Sequence, residues 1–510
     1  MSAKILENYD VKADNVAVEV QVVEAENEFV RQYLLSIPEY GLGTKALLEN
    51  LKASIITDAG INAEKMLNPK FMKELKDRFA EKAGKLLQRE LPDSKPEIRN
   101  TLIGLLIHEM LGLGKIEFLL ADGNLEEIVI NSAAEPIWVY HKKFGWLKSN
   151  VFVEPEAEIQ NFANIIARRV GKQITTLNPL LDAHLITGDR ANATLFPIST
   201  RGNTITIRRF RRDPWTVTDI IDNKTASAEL MSLVWLAIQY EMNILISGGT
   251  GSGKTSMLNV CMPFIEANNR IISIEDTREI QLPEFLHWVP LTTREPNSEG
   301  KGEISMLDLL VNSLRMRPDR IIVGEVRRQR EAEVMFEAMH TGHSVYTTVH
   351  ANTADETIRR LVSPPISIPI TMLDSVHLNL VMFRNRRVGA RRVLQLAEYI
   401  SEKRSENEER VRANILYRWK PASDEISKHS ESIRFYDELA MHTGFTPDEM
   451  QADLKQKKEI LEWLVKNKIR DISSVGRVIA EYYLDTSSIT SLVEKNKVPS
   501  WFVEKRAVVE

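Results

Sequence analysis

Gly248-Gly249-Thr250-Gly251-Ser252-Gly253-Lys254-Thr255 is the stretch on which the reading of this chain turns. It satisfies the pattern G-x-x-x-x-G-K-[ST]. An apolar run, Ile244-Leu245-Ile246, precedes it and is short enough for a buried strand. Behind it Met257, Leu258, Cys261, Phe264 and Ile265 recur at helical spacing. Strand, glycine loop and helix together predict a phosphate site. Glycines let backbone N–H groups turn inward around phosphate oxygens, and the helix N-terminus adds partial positive charge. Lys254 is then placed to reach β- and γ-phosphates, the Thr255 hydroxyl to hold Mg²⁺, and Ser256 completes the cradle. The expected ligand is a nucleoside triphosphate.

Composition narrows the class. A chain of 510 residues has room for roughly two to four domains and a large core. Its apolar and charged fractions are ordinary for a soluble protein. A net charge of −5 gives no overall footprint for nucleic acid. The single cysteine, Cys261, excludes an intramolecular disulfide framework and a four-cysteine zinc site. The first ten residues are charged and lack the apolar core of a signal peptide, and no run of about 18 apolar residues predicts a membrane span. An intracellular chain is expected, able to dock on a membrane protein.

Five segments follow from texture. Residues 1–115 are expected to be a helical N-terminal region, from the stripe Met72, Leu75, Phe79, Leu86, Leu87 and an apolar helix near 98–111. His108 within that helix reads as a core histidine. Residues 116–211 have an α+β pattern, with strands at 125–131, 136–140 and 204–209 and a helix at 158–170. Residues 212–227, carrying Pro214, Asp222 and Asn223, read as a linker. Residues 228–400 alternate short apolar strands with helices, the mark of a parallel sheet covered on both faces. Edge strands are expected at 378–383 and 393–399. Residues 401–510 are expected to be mainly helical, after a solvated charged loop at 401–412.

In open parallel sheets, ligands bind outside the carboxyl ends of the strands. Four successive predicted strands here end in reactive residues: the phosphate loop, then Glu275-Asp276, then Glu325, then His350. Glu325 fits the acidic residue that holds Mg²⁺ or its water, although Gly324 stands where that motif ordinarily has Asp. Glu275 is the candidate to orient or deprotonate the attacking water. His350 could hydrogen-bond a γ-phosphate, while His343 reads equally well as a structural histidine. Hydrolysis also calls for a cation beyond Lys254, worth roughly 10³–10⁵ in rate where it acts as an arginine finger. Arg190, Arg201, Arg208 and Arg209, all before the motor segment, are the candidates.

Residues 248–255, Ile274-Glu275-Asp276-Thr277-Arg278-Glu279-Ile280, Arg317-Pro318-Asp319-Arg320-Ile321-Ile322-Val323-Gly324-Glu325 and Thr341-Gly342-His343-Ser344-Val345-Tyr346-Thr347-Thr348-Val349-His350 come in that order. They resemble the Walker A, acidic, Walker B and histidine boxes of the type II/type IV secretion ATPase superfamily. Gly324-Glu325 is the usual form there. Asn131 and residues 181–194 resemble that family's N-terminal domain, so the resemblance spans about 120–400. The tail from Asn414-Ile415-Leu416-Tyr417-Arg418-Trp419 resembles the archaeal branch more loosely.

The resemblance implies an α/β fold: a RecA-like P-loop motor domain with a parallel sheet, preceded by a smaller PAS-like α+β domain and the helical region. It implies a homohexamer using ATP and Mg²⁺, peripheral to the inner face of the cell membrane on a platform protein. Its cycle would move the N-terminal and motor domains to drive protein secretion or assembly of a type IV pilus-like filament or archaellum. Many bacterial members carry a four-cysteine zinc module after the histidine box, which this chain cannot form. The alternative is a nucleic-acid translocase or DNA-transfer ATPase of the same superfamily, against which the acidic composition weighs. A small-molecule P-loop kinase leaves the strand-end histidine and the arginine-bearing domain unexplained.

Overall fold

The computed structural model describes residues 4–26, 28–38, 41–58, 69–185, 188–210, 213–296, 300–385, 387–405 and 408–509. The chain divides into two compact units, one built from residues up to 212 and the other from most of the chain beyond 213.

The N-terminal unit holds strands β1 (Lys4–Ala13), β2 (Val16–Glu24), β3 (Gln32–Ser36), β4 (Leu125–Ile130), β5 (Trp138–His141), β6 (Gly145–Ser149), β7 (Leu180–His184), β8 (Arg190–Thr194) and β9 (Thr204–Arg208). They form one sheet in the order β1-β2-β3-β6-β5-β4-β9-β8-β7. The strands at its start correct the expectation that residues 1–115 are helical. Val16, Val18, Val20 and Val22 alternate with more exposed neighbours and are buried on one face, a period of two rather than 3.6. Asp14 and Asn15 join β1 to β2 with φ of 40° and 70°. Such a left-handed pair matches the twist of the flanking strands. The helices come later, at Leu42–Asp58, Pro69–Glu90 and Pro96–Leu111. Leu75, Phe79, Ala83 and Leu87 of the second pack with Leu102 and Leu106 of the third.

The C-terminal unit holds β10 (Ile244–Gly248), β11 (Ile271–Glu275), β12 (Trp288–Thr292), β13 (Arg320–Val323), β14 (Ser344–Val349), β15 (Leu378–Arg384), β16 (Arg391–Ser405), β17 (Glu408–Lys420) and β18 (Glu425–Lys428). The order is β12-β11-β13-β14-β10-β15-β16-β17-β18. The first six are parallel and the last three antiparallel, so this α/β sheet is mixed. Ile244 and Ile246 face one apolar layer with Leu380 and Met382. Leu245 faces the opposite layer with Ile272, Ile274, Ile321 and Val323. Burial on both faces is why these strands read as unbroken apolar runs.

Two further expectations differ from the structure. The segment 401–412 extends a hairpin instead of forming a solvated loop: Ser401 faces Val411 and Glu402 faces Arg410, and Glu402 also ion-pairs with Arg412. Opposite charges across a ladder replace the apolar alternation by which strands are ordinarily recognised. The region from 401 onward therefore runs through the end of β16, β17 and β18 before it becomes helical at Phe435–Thr443. Of the expected linker, residue 212 lies outside the described residues, and 213–227 are part of the motor unit. Its helix Val217–Asp222 has a capping box between Thr216 and Asp219, buries Val217 and Ile220 in the motor core, and is held by Arg470 at 3.0 Å from Asp219. Tail helices Pro447–Lys466 and Ile472–Leu484 join the same core through Ile460, Leu461, Trp463 and Val478. Among the described residues no helix is long and apolar enough to cross a membrane.

Candidate functional site

β10 is buried along its whole length between β14 and β15, so its carboxyl end is fixed in position. The chain leaves it through the glycine loop and enters the helix Lys254–Cys261. Gly253 caps that helix with φ 95°, a left-handed conformation that side chains resist. At Gly248 a Cβ would lie 2.5 Å from Ser252 Oγ and 2.6 Å from the Met382 carbonyl oxygen. The second neighbour is backbone of a central strand and cannot move aside. Gly248→Ala is therefore expected to destabilise the protein by about 1–3 kcal/mol. A thermal melt without nucleotide would check this, and an unchanged midpoint would contradict it.

Lys254 is buried, with Nζ 3.3 Å from the Gly249 carbonyl and 3.3–3.4 Å from the ring nitrogens of His350. Burial holds its ammonium below the usual lysine value; Glu325 opposes that shift and Arg327 adds to it. His350 follows β14 and also has a lowered pKa, chiefly from burial. Its Nε2 is 3.1 Å from Glu325 Oε1. A neutral ring donating from Nε2 to Glu325 leaves Nδ1 to accept from Lys254, and the 3.3 Å approach of Nζ to Nε2 is then a close contact and not a hydrogen bond.

Glu275 closes β11 and is 2 % exposed. Its Oε1 accepts the amide hydrogens of Glu279 and Ile280 at 2.9 and 3.1 Å, while Oε2 is buried without a partner. Burial pushes the carboxyl up from 4.5 to about 7, against the pull of those two amides. Gly324, on the neighbouring strand end, explains the departure from Asp noted above: a Cβ there would sit 3.3 Å from Glu275 Cγ. The glycine makes room for the buried glutamate. Arg327, two residues past Glu325, bridges Asp276 at 3.1 Å and Glu325 at 2.8 Å. It was not singled out from sequence, although its place just beyond a strand-end carboxylate was a usable signal.

β11, β13, β14 and β10 are consecutive neighbours in the sheet, so the phosphate loop, Glu275, Glu325 and His350 stand along one edge of it. His343 precedes β14 and lies at the opposite end, where Thr341 Oγ1 is 3.3 Å from its Nδ1. The arginines belong to the N-terminal unit. Arg190 pairs with Asp182, its Nε 3.0 Å from Oδ1, and Arg201 is 3.4 Å from Glu135. Arg208 ends β9 with an exposed side chain. Arg209 donates to the carbonyls of Asp122 and Leu125, bonds that tie it to its own unit.

These residues suit a magnesium–nucleoside triphosphate. The loop has open backbone where side chains would clash, and a buried ammonium whose contacts at 3.3–3.4 Å are long for hydrogen bonds. Thr255 and Glu325 supply the oxygen donors that a hard dication prefers.

Residues 187–391 match the family described as Type II/IV secretion system protein. An uncharacterized protein of Methanocaldococcus jannaschii is 34% identical over 396 residues, covering 76% of this chain and 70% of that one. The conjugal transfer protein TrbB of Rhizobium radiobacter is 32% identical, over 48% of this chain and 72% of its own length. Among solved structures, the VirB11 ATPase from the Brucella suis type IV secretion system aligns over 55% of this chain and 90% of that one, at 22% identity and a TM-score of 0.29. With an archaeal relative matched over most of both sequences, and the family's own segment falling across the phosphate loop, Glu275, Glu325 and His350, this chain belongs to the type II/type IV secretion ATPase superfamily.

Proposed function

We propose that this protein is an ATP-hydrolysing hexameric motor that powers protein secretion or assembly of a type IV pilus-like filament. One observation carries the reading: Lys254, Glu275, Glu325 and His350 stand at the ends of four adjacent parallel strands. In this reading the loop 248–256 cradles the triphosphate. Lys254 meets the γ-phosphate, and His350, now donating to Glu325, can turn its ring toward the same group. Glu275, ionised, takes a proton from the attacking water through its unpartnered Oε2. Thr255 and Glu325 would hold Mg²⁺, which neutralises charge on the β- and γ-oxygens. Glu325 would have to give up Arg327 to do so, and Arg327 is then free to remain beside Asp276.

The arginine finger in this reading is Arg190, Arg208 or Arg209 of the N-terminal unit, closing on its own or a neighbour's nucleotide. Closure would convert hydrolysis into a rigid-body motion. The ring would sit on a platform protein at the inner face of the cell membrane. Specific activity should then depend on assembly: the ATPase rate per subunit is expected to fall across about a hundredfold dilution as rings dissociate. Arg190→Ala and Arg208→Ala should lower turnover by at least about tenfold while weakening ATP binding far less, because the charge they meet develops in the transition state. A flat rate from a species that sediments as a monomer would sink the ring mechanism.

The conjugal-transfer relative favours a second reading, a motor of the same superfamily that serves DNA transfer. The net charge of −5 opposes direct contact with DNA. Tight DNA binding that weakens steeply with salt would revive it.

A further inference from the structure

The phosphate loop is also contacted from the flank of β10 opposite the strand-end carboxylates. There β15 and β16 form a hairpin in which Arg384 and Arg391 face each other at the last paired position. Arg391 Nε donates to the Gly251 carbonyl at 3.2 Å, and its stem passes Gly253, where a Cβ would lie 3.4 Å from Cδ. The Arg384 guanidinium lies over Gly251 itself: a Cβ there would come within 2.7 Å of Nη1. Arg384 Nε is buried with no hydrogen-bond partner, and among the described residues no carboxylate pairs with this side chain. Arg392, the next residue along β16, shows what a structural arginine looks like here. Its guanidinium grips Asp424 in a fork at 2.7 and 2.8 Å.

A half-buried guanidinium without an anion is costly, and the cost is recovered when an anion arrives. The octapeptide 248–255 contains no acidic residue, so Lys254, Arg384 and Arg391 add their charges around one loop. The planar fork of arginine matches two phosphate oxygens at once. Position then separates the phosphates. Glu325 and His350 follow β13 and β14 on one side of β10, the side that takes the γ-phosphate in the function proposed above. Arg384 and Arg391 stand on the β15 side, where the remainder of the nucleotide must leave the loop.

We propose that Arg384 and Arg391 form a second cationic wall that binds the α- and β-phosphates and retains the nucleoside diphosphate after cleavage. The inference rests on the reading of this loop as a nucleotide site. Arg391 also positions the loop through its bond to Gly251, whereas Arg384 donates no hydrogen bond among the described residues. Arg384→Met is therefore the decisive variant, since it removes charge without breaking a hydrogen bond among the described residues.

The experiment is calorimetric titration of the full-length protein with MgADP and with MgATP at one salt concentration. Wild type, Arg384→Met, Arg384→Lys and Lys254→Ala would be compared. Arg384→Met is expected to weaken ADP and ATP alike, by about tenfold each, with a melting midpoint at or above that of wild type. Arg384→Lys, which keeps the charge but loses the fork, should fall between it and wild type. Wild-type ADP affinity in Arg384→Met overturns the proposal alone, provided wild type binds and Lys254→Ala loses ATP. Loss of ATP with ADP retained overturns it too, because the arginine would then meet the γ-phosphate. If wild type binds neither nucleotide, the nucleotide reading fails and this inference with it.

Discussion

Lys254→Ala is expected to reduce ATP turnover by at least about a hundredfold while leaving the fold intact. The argument rests on where the side chain spends its interactions without ligand. The residue is 8 % exposed, yet the contacts of its ammonium are the Gly249 carbonyl at 3.3 Å and a neutral imidazole at similar distance. Burial already lowers its pKa, so the native state loses little when this charge is removed. Charge on the γ-phosphoryl oxygens, in contrast, grows toward the transition state, and an electrostatic partner there acts in a site shielded from water. The melting midpoint should stay at or slightly above that of wild type, because a desolvated ammonium has gone. Phosphate release at saturating ATP checks the first half, and thermal unfolding the second. A variant that hydrolyses ATP at nearly the wild-type rate would show that the loop is not the catalytic phosphate site.

Glu275→Gln should retain ATP binding and lose most hydrolysis, and it should also change how the protein responds to pH. The wild-type carboxyl is raised from 4.5 to about 7 by burial, a difference of roughly 3 kcal/mol between its protonation states. A raised carboxyl binds its proton more tightly in the folded chain than in the unfolded one. Its contribution to stability is thus complete below about 4.5 and is lost as pH rises through about 7. Glutamine stays neutral throughout, so Glu275→Gln should melt higher than wild type at pH above 7, with the gap closing toward acid. Turnover runs the other way: wild type needs the ionised form and should gain activity as pH climbs through about 7. Glu325→Gln differs in kind, because it removes the proposed metal ligand, and its residual activity should shift in Mg²⁺ dependence where that of Glu275→Gln does not. A wild-type rate profile flat across neutral pH, or identical Mg²⁺ titrations for the two variants, would remove Glu275 from the role of base.

Local pattern alone was enough to define the motor centre. The phosphate loop, its strand and helix, and the strand ends at Glu275, Glu325 and His350 lie within short apolar runs whose burial on both faces leaves a distinct signature. Helix stripes such as Leu75, Phe79 and Leu87 were legible for the same reason, since one-sided burial repeats every three or four residues. Elements stabilised across the chain were not legible in the same way. The long strands β16 and β17 pair charged residues and so lack the usual apolar alternation throughout, whereas β2 carries it at Val16, Val18, Val20 and Val22 and was open to reading from its period of two.

The site itself was only half determined by sequence order. Which residue types end each strand is written in the chain, and that sufficed to nominate a nucleotide site and a family. Their electrical states were decided by packing: burial raises the Glu275 carboxyl to about 7, and its second oxygen is left without a partner. Gly324 is glycine because Glu275 presses against it from the next strand. Arg384 and Arg391 reach the phosphate loop from more than a hundred positions away, because β15 is laid beside β10 in the sheet. Periodicity records what a residue does to its own element; charge, pKa and reach depend on neighbours that only the folded sheet brings together.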